Sequence, residues 1–276
     1  MTDFSAPTPA FPQEVIITSP EGALAKISPY GAHVLSWVPA QAEERLFLSP
    51  KAEFRAGAAI RGGVPVIFPQ FSGLGSLPKH GFARTSPWNV VRADPASAVF
   101  RLSETPATYS LWPHRFLAEY NVRISKNELE MALALTNTDL TPFSFTAALH
   151  TYLRVKDVRT AAVLGLQGCR YLDETHARQE MRGEALRVTF AGEVDRTYLD
   201  SPSRLQLVDA SHSLAIHAAG FPDTVVWNPG PEKCATLADM EENGYLQFVC
   251  VEAAAAGQPV RLAPGETWRG TQLLVA

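Results

Sequence analysis

Several residues in this chain have types and spacings that could do chemistry. The first is His150, in the run Phe143-Ser-Phe-Thr-Ala-Ala-Leu-His150-Thr-Tyr152. In an extended strand successive side chains point to opposite faces. Phe143, Phe145, Ala147 and Leu149 then share one face, which suits a core. Ser144, Thr146, Ala148 and His150 share the other, with Tyr152 and Arg154 continuing it. That second face is small and polar and leaves room for a ligand beside an imidazole. A structural histidine with satisfied hydrogen bonds is the alternative reading. The second residue is Glu252, which terminates the almost wholly apolar Leu246-Gln-Phe-Val-Cys-Val-Glu252. A carboxylate there is costly to bury unless it is paired or used. Held at a raised pKa it suits general acid/base work near neutral pH; its other reading is an anchor for a loop arginine.

Basic residues gather in two loops. In Ile60-Arg61-Gly62-Gly63-Val64-Pro65 the glycines let a backbone approach a ligand closely beside a guanidinium. In Lys79-His80-Gly81-Phe82-Ala83-Arg84 the basic groups could form an anion pocket. A turn salt bridge and a solvated loop are the plainer readings. Two arginine loops so close in sequence favour an anionic ligand such as a phosphoryl group. Asp195, in Glu193-Val-Asp195-Arg196, is placed at a strand-to-loop junction where it could accept a hydrogen bond from a hydroxyl. Trp227 could stack on an apolar ligand face or fill a core. No Gly-x-Gly-x-x-Gly, phosphate-binding P-loop, Gly-x-Ser-x-Gly or His-Glu-x-x-His pattern is present, which weighs against nucleotide cofactors, elbow serines and zinc proteolysis.

The elements that must position these groups read as strands. Val15–Thr18 and residues 23–27 flank the turn Ser-Pro-Glu-Gly, and His33–Val38 follows. Residues 118–125 and 129–136 alternate cleanly. Further strands are expected at residues 99–102, 185–190, 204–208, 213–218, 224–227, 246–252 and 271–275. Residues 232–243 could form a short helix. Many short strands without alternating helices indicate an all-β sandwich or barrel. Residues 51–84 are irregular and rich in Gly and Pro, the mark of a functional loop. The expected organisation is a lead-in over residues 1–13 and a single domain over residues 14–276.

Composition sets outer limits. The chain has 276 residues, 46% hydrophobic and 19% charged, and a net charge of −4, which offers no footprint for nucleic acid or an anionic membrane. The first residues lack the basic and apolar regions of a secretory signal, and no apolar run is long enough to span a bilayer. Cys169, Cys234 and Cys250 suggest neither a disulfide framework nor a zinc site. A cytoplasmic, metal-free protein is expected.

Taken in order, Arg61-Gly-Gly-Val-Pro-Val-Ile-Phe-Pro-Gln, Lys79-His-Gly-Phe-Ala-Arg84, Leu149-His-Thr-Tyr-Leu, Glu193-Val-Asp-Arg-Thr-Tyr, Trp227-Asn-Pro and Val249-Cys-Val-Glu252 resemble the hexose-6-phosphate mutarotases, the glucose-6-phosphate 1-epimerase branch of the aldose 1-epimerase family. The resemblance runs from about residue 15 to the C-terminus. It implies a large antiparallel β-sandwich of the galactose-mutarotase-like type, with few short helices and the sugar in an open groove. It implies that Glu252 is the general base on the C1 hydroxyl and His150 the general acid on the ring oxygen, with no cofactor. A carboxylate beside His150 would help it carry its proton. Arg61 and Arg84, with the Lys79 position, would hold the 6-phosphate; Lys79 stands where relatives often carry Gln. Asp195 would bind substrate, and His80 would lie in the groove. The implied partner is a small-molecule sugar phosphate; a monomer is expected separately, because the sequence offers no self-complementary patch. Two other readings stay open: a free-aldose 1-epimerase, and a non-catalytic sugar-phosphate-binding protein.

Overall fold

Strict alternation of apolar residues produces the longest strands. Glu128–Asn137 buries Leu129, Met131, Leu133 and Leu135, and Phe116–Ile124 buries Phe116, Ala118, Tyr120 and Val122. The two pair antiparallel with Ala118 opposite Leu135, so both apolar sets face the same side. The computed structural model describes residues 11–210 and 212–276. Among these, strands form a nine-stranded, an eight-stranded and a three-stranded sheet, and the strand pairings are antiparallel. The expected all-β sandwich is what forms.

The eight-stranded sheet carries the candidate chemistry. Its central neighbours run in the order Val194–Tyr198, Asp223–Asn228, Phe248–Leu262, Phe143–Leu149 and Val66–Ile67. One face presents Val226, Val249, Val251, Ala253, Ala147 and Leu149 to the main core, together with Leu133 and Phe100 of the nine-stranded sheet. The other face presents Ala148, Val225 and Ala254, packed with Ile67 and Phe71. Burial on both faces explains why Phe248–Leu262 begins as a continuous apolar run rather than an alternating one.

Several boundaries differ from the sequence reading. Glu252 does not end its strand; it lies inside Phe248–Leu262, which starts only after a 3₁₀ turn at Gly244–Gln247. The strand leading to His150 is likewise interrupted: Phe143–Leu149 stops before His150, and Tyr152–Arg154 resumes pairing with Cys250, Val249 and Phe248. The expected strand over 185–190 shrinks to Arg187–Val188. The helix expected over 232–243 is Gly230–Ala235, started by Asn228 Oδ1 accepting the Gly230 N–H, and residues beyond it turn back toward Arg61. A second helix, Pro106–Leu111, is set by Thr105 and Thr108, which cap each other's backbone N–H.

Residues 51–84 form the expected irregular segment, interrupted by Val66–Ile67 and ending in a 3₁₀ turn at Ala83–Thr85. Of the expected lead-in, residues 1–10 lie outside the described residues. Phe11 is attached rather than loose, with its ring 5.1 Å from Tyr30 and 5.6 Å from Phe54. No helix among the described residues is long and apolar enough to cross a membrane.

Candidate active site

Strand register brings the two candidate proton carriers together. Ala253 pairs with Leu149, so one step further His150 lies opposite Glu252. His150 Nδ1 is 3.3 Å from Glu252 Oε1. That contact is close enough for an ion pair but is not a hydrogen bond, and Nδ1 and the second carboxyl oxygen, Oε2, are buried with no hydrogen-bond partner among the described residues. Glu252 is 1% exposed and His150 8%. Burial pushes the carboxyl well above its usual range, and nearby Asp195 adds to this. Burial also pushes the imidazole well down, reinforced by the charges of Arg84 and Arg61. The neighbouring carboxylate therefore does not keep His150 protonated; desolvation and guanidinium charge outweigh it. Nor does Glu252 anchor an arginine: among the described residues its close ionisable neighbour is His150.

Aromatic rings fix the imidazole. Tyr152 stacks on it at 4.9 Å and 10°, while His80 and Trp227 meet it edge-on at 5.6 and 5.8 Å. His80 has a left-handed backbone, φ 69°, held by its own N–H to the Ser72 carbonyl. Its Nδ1 accepts the Ser72 N–H, so this ring is a neutral acceptor, and burial drives its pKa far down.

A cavity of about 150 Å³ collects these groups with the two basic loops: Arg61, Lys79 and Arg84 line it beside His80, His150, Asp195 and Glu252. All the residues singled out from the sequence thus meet in one place. Arg61 is both salt-bridged and cavity-lining: its Nε donates to Asp239 Oδ2 at 3.1 Å and its Nη1 to the Tyr152 hydroxyl at 3.1 Å. The glycines after it serve packing, not ligand approach. Gly62 and Gly63 hold φ of 109° and 60°, and a Cβ on either would strike the Phe47 or Val34 carbonyl. Arg84 differs from Arg61. Its Nη2 donates to the Lys79 carbonyl, but it has no ion pair among the described residues and its buried Nε has no hydrogen-bond partner. Lys79 is exposed at the rim. Asp195, second in Val194–Tyr198, is pushed up to about 6 by burial, against the charge of Lys233.

Glu174 and Lys233 also line the cavity, and Lys233 pairs with Glu193. Neither stands out in the sequence, because each is an ordinary polar residue of a turn or short helix that only the fold brings to the groove. Asp239 falls inside the helix expected over 232–243, which hides its role as the partner of Arg61. His150, Cys250 and Glu252 could chelate a metal, since their ligand atoms lie within 4.8 Å of one another. The charges of Arg61, Lys79 and Arg84 oppose a bare cation there, and burial keeps the Cys250 thiol protonated. A larger hollow of about 400 Å³, by Phe190 and Tyr245, contains Arg159, which is already paired with Asp157.

On a β-sandwich, a buried carboxyl–imidazole pair beside a basic rim is a site suited to acid/base chemistry on an anionic ligand. Solved structures share the fold. A Salmonella typhimurium protein provisionally named a mutarotase superposes with TM-score 0.86 at 32% identity, covering 94% of this chain and 88% of its own. A galactose mutarotase related enzyme from Lactobacillus acidophilus shares the fold at 15% identity, with TM-score 0.78 over 95% of this chain and 97% of its own. The family model for aldose 1-epimerase matches residues 13–274. A Cenchrus ciliaris protein provisionally named glucose-6-phosphate 1-epimerase is 37% identical over 98% of this chain and 86% of its own length. One of the same provisional name from Escherichia coli K12 is 36% identical over 89% and 84%. The chain belongs to the aldose 1-epimerase family.

Proposed function

We propose that this protein interconverts the α and β anomers of a hexose 6-phosphate, glucose 6-phosphate first among them, with residues 14–276 acting as one catalytic domain. The observation that carries the reading is Arg84. A partly buried guanidinium with no carboxylate partner among the described residues, in the same cavity as the His150–Glu252 pair, calls for an anionic ligand. Arg61 and Lys79 complete the cationic side, Asp195 offers an acceptor to a sugar hydroxyl, and His80, whose Nδ1 is taken by the Ser72 N–H, offers its Nε2–H as a donor. The relatives' provisional names agree with this substrate.

Glu252 takes the C1 hydroxyl proton while His150 delivers one to the ring oxygen. The C1–O5 bond breaks, leaving an open-chain aldehyde whose end rotates. Closure returns the first proton to the carbonyl oxygen and the second to His150, so the enzyme ends as it began. Burial alone favours the uncharged pair, with the proton on the carboxyl. The working form has the proton on His150 and the carboxylate on Glu252, a redistribution within the pair, 3.3 Å apart, that leaves net charge unchanged. A phosphoryl dianion seated on Arg61, Lys79 and Arg84 offsets the positive potential that opposes charge on His150. General acid/base contributions of about 10² to 10⁴ suit a reaction that already proceeds in water. The cavity is complete within one chain, which supports action as a monomer, and three cysteines without a disulfide suit a reducing compartment such as the cytoplasm.

Anomeric exchange measured by NMR on glucose 6-phosphate and on free glucose tests the substrate. The wild type should accelerate the phosphorylated sugar preferentially. Equal acceleration of both would favour a free-aldose epimerase. Binding without acceleration would leave only a sugar-phosphate-binding protein.

A further inference from the structure

Tyr152 touches both halves of the site. Its hydroxyl accepts a hydrogen bond from Arg61 Nη1 at 3.1 Å, and its ring lies flat on His150 at 4.9 Å and 10°. The ring itself cannot shift freely. It is 2% exposed, packs on Phe248 at 5.1 Å and Trp227 at 6.0 Å, and its backbone pairs with Cys250. On the far side of Arg61, Asp239 holds Nε, and the Asp239 carbonyl accepts from Ser49 Oγ at 2.6 Å. Two N–H donors of the guanidinium are thus fixed within the protein, leaving the others for an anion. Burial raises the phenol's pKa, so the group stays a neutral phenol and acts by position.

We propose that Tyr152 is the positioning residue that sets the anion-binding guanidinium of Arg61 and the imidazole of His150 at a fixed separation. This rests on the reading of the site as a hexose 6-phosphate epimerase. The hydroxyl serves one end and the ring the other, so the two functions can be taken apart. A sugar phosphate has a set length from phosphorus to anomeric carbon. A site that seats one end accurately must also hold the other, because misplacement of a reacting group by about 1 Å can cost about 10²-fold in rate.

Tyr152→Phe removes the hydroxyl and keeps the ring; Tyr152→Leu removes both. Exchange kinetics over a range of glucose 6-phosphate concentrations, beside Arg61→Ala and wild type, give KM and kcat separately. Tyr152→Phe should raise KM by about 10-fold, the scale of one hydrogen bond to a charged group, and move kcat far less. Tyr152→Leu should in addition lower kcat by about 10- to 100-fold. A wild-type KM in Tyr152→Phe, with KM still raised in Arg61→Ala, would overturn the role of Tyr152 alone. So would a Tyr152→Leu protein that melts like wild type and keeps its kcat. If instead Arg61→Ala leaves the preference for glucose 6-phosphate over glucose unchanged, the phosphate reading falls and this inference with it.

Discussion

Replacing Arg84 by Met separates a binding arginine from a structural one, because the two predict opposite outcomes for stability. The side chain donates one hydrogen bond, from Nη2 to the Lys79 carbonyl, whose loss costs about 1 kcal/mol. Against this, among the described residues its buried Nε has no partner and no ion pair holds the charge, and burial presses its pKa down. Relief of an unpaired, partly desolvated cation returns a similar amount, about 1 kcal/mol. Met keeps the apolar stem in place. The net change in unfolding free energy should therefore stay within about 1 kcal/mol of zero. Function should respond quite differently. A charge-assisted contact to phosphate is worth about 1.5 to 3 kcal/mol, so kcat/KM for glucose 6-phosphate should fall by about 10- to 150-fold. Free glucose makes no such contact and should be affected little. Urea unfolding supplies the first quantity, and NMR anomeric exchange on the two sugars the second. A loss of more than about 2 kcal/mol in stability, with both sugars slowed alike, would refute the reasoning and make Arg84 structural.

Further outcomes follow from other residues. Asp195 titrates near 6, so the wild-type KM for glucose 6-phosphate should rise as pH falls from 7 to 5 while the carboxylate acceptor is lost; Asp195→Asn should flatten this part of the profile, and an unchanged profile removes Asp195 from substrate binding. His33 is buried, its Nε2 donates to the Gly62 carbonyl, and burial holds its pKa down at about 4 against an ordinary 6.5. A lowered folded pKa means that its contribution is complete above about 6.5 and is lost progressively as pH falls from there to about 4, amounting to ~3 kcal/mol. Chemical denaturation between pH 7 and 4 should show that decline, and His33→Gln should lessen it; an identical slope in the variant contradicts the assignment. Gly62→Ala puts a Cβ against the Phe47 carbonyl at φ 109°. It should cost more than about 2 kcal/mol and displace Arg61, so a variant melting with the wild type would show that the turn relaxes cheaply.

The sequence was most informative where period and burial agree. The alternation in Phe116–Ile124 and Glu128–Asn137 forces one face inward, and the strands form with that face in the core. Phe143, Phe145, Ala147 and Leu149 likewise enter the main core. Boundaries were harder where both faces are buried. Phe248–Leu262 continues past Glu252 because alanines follow it, and alanine marks neither face nor end. The short helix after Pro229 stops at Ala235 although residues 236–243 keep helix-compatible types. They are drawn off by tertiary contacts, among them Asp239 with Arg61 and Cys234 Sγ with the Glu241 carbonyl. The site residues themselves were legible as types in motifs. Their protonation was not. That burial and guanidinium charge prevail over a carboxylate 3.3 Å from His150 depends on side chains distant in sequence meeting in one cavity. The same holds for Tyr152, which in the sequence is one more residue on the His150 face.

The Glu252–His150 pair is proposed to move the protons of anomer exchange. Magnetisation exchange between α- and β-glucose 6-phosphate should be compared for wild type, Glu252→Gln and His150→Ala at equal concentration. Wild-type exchange should run well above the buffer rate, with each substitution removing about 10² or more of that acceleration while substrate still binds. Wild-type exchange no faster than buffer, or a Glu252→Gln protein as fast as wild type, would contradict that role.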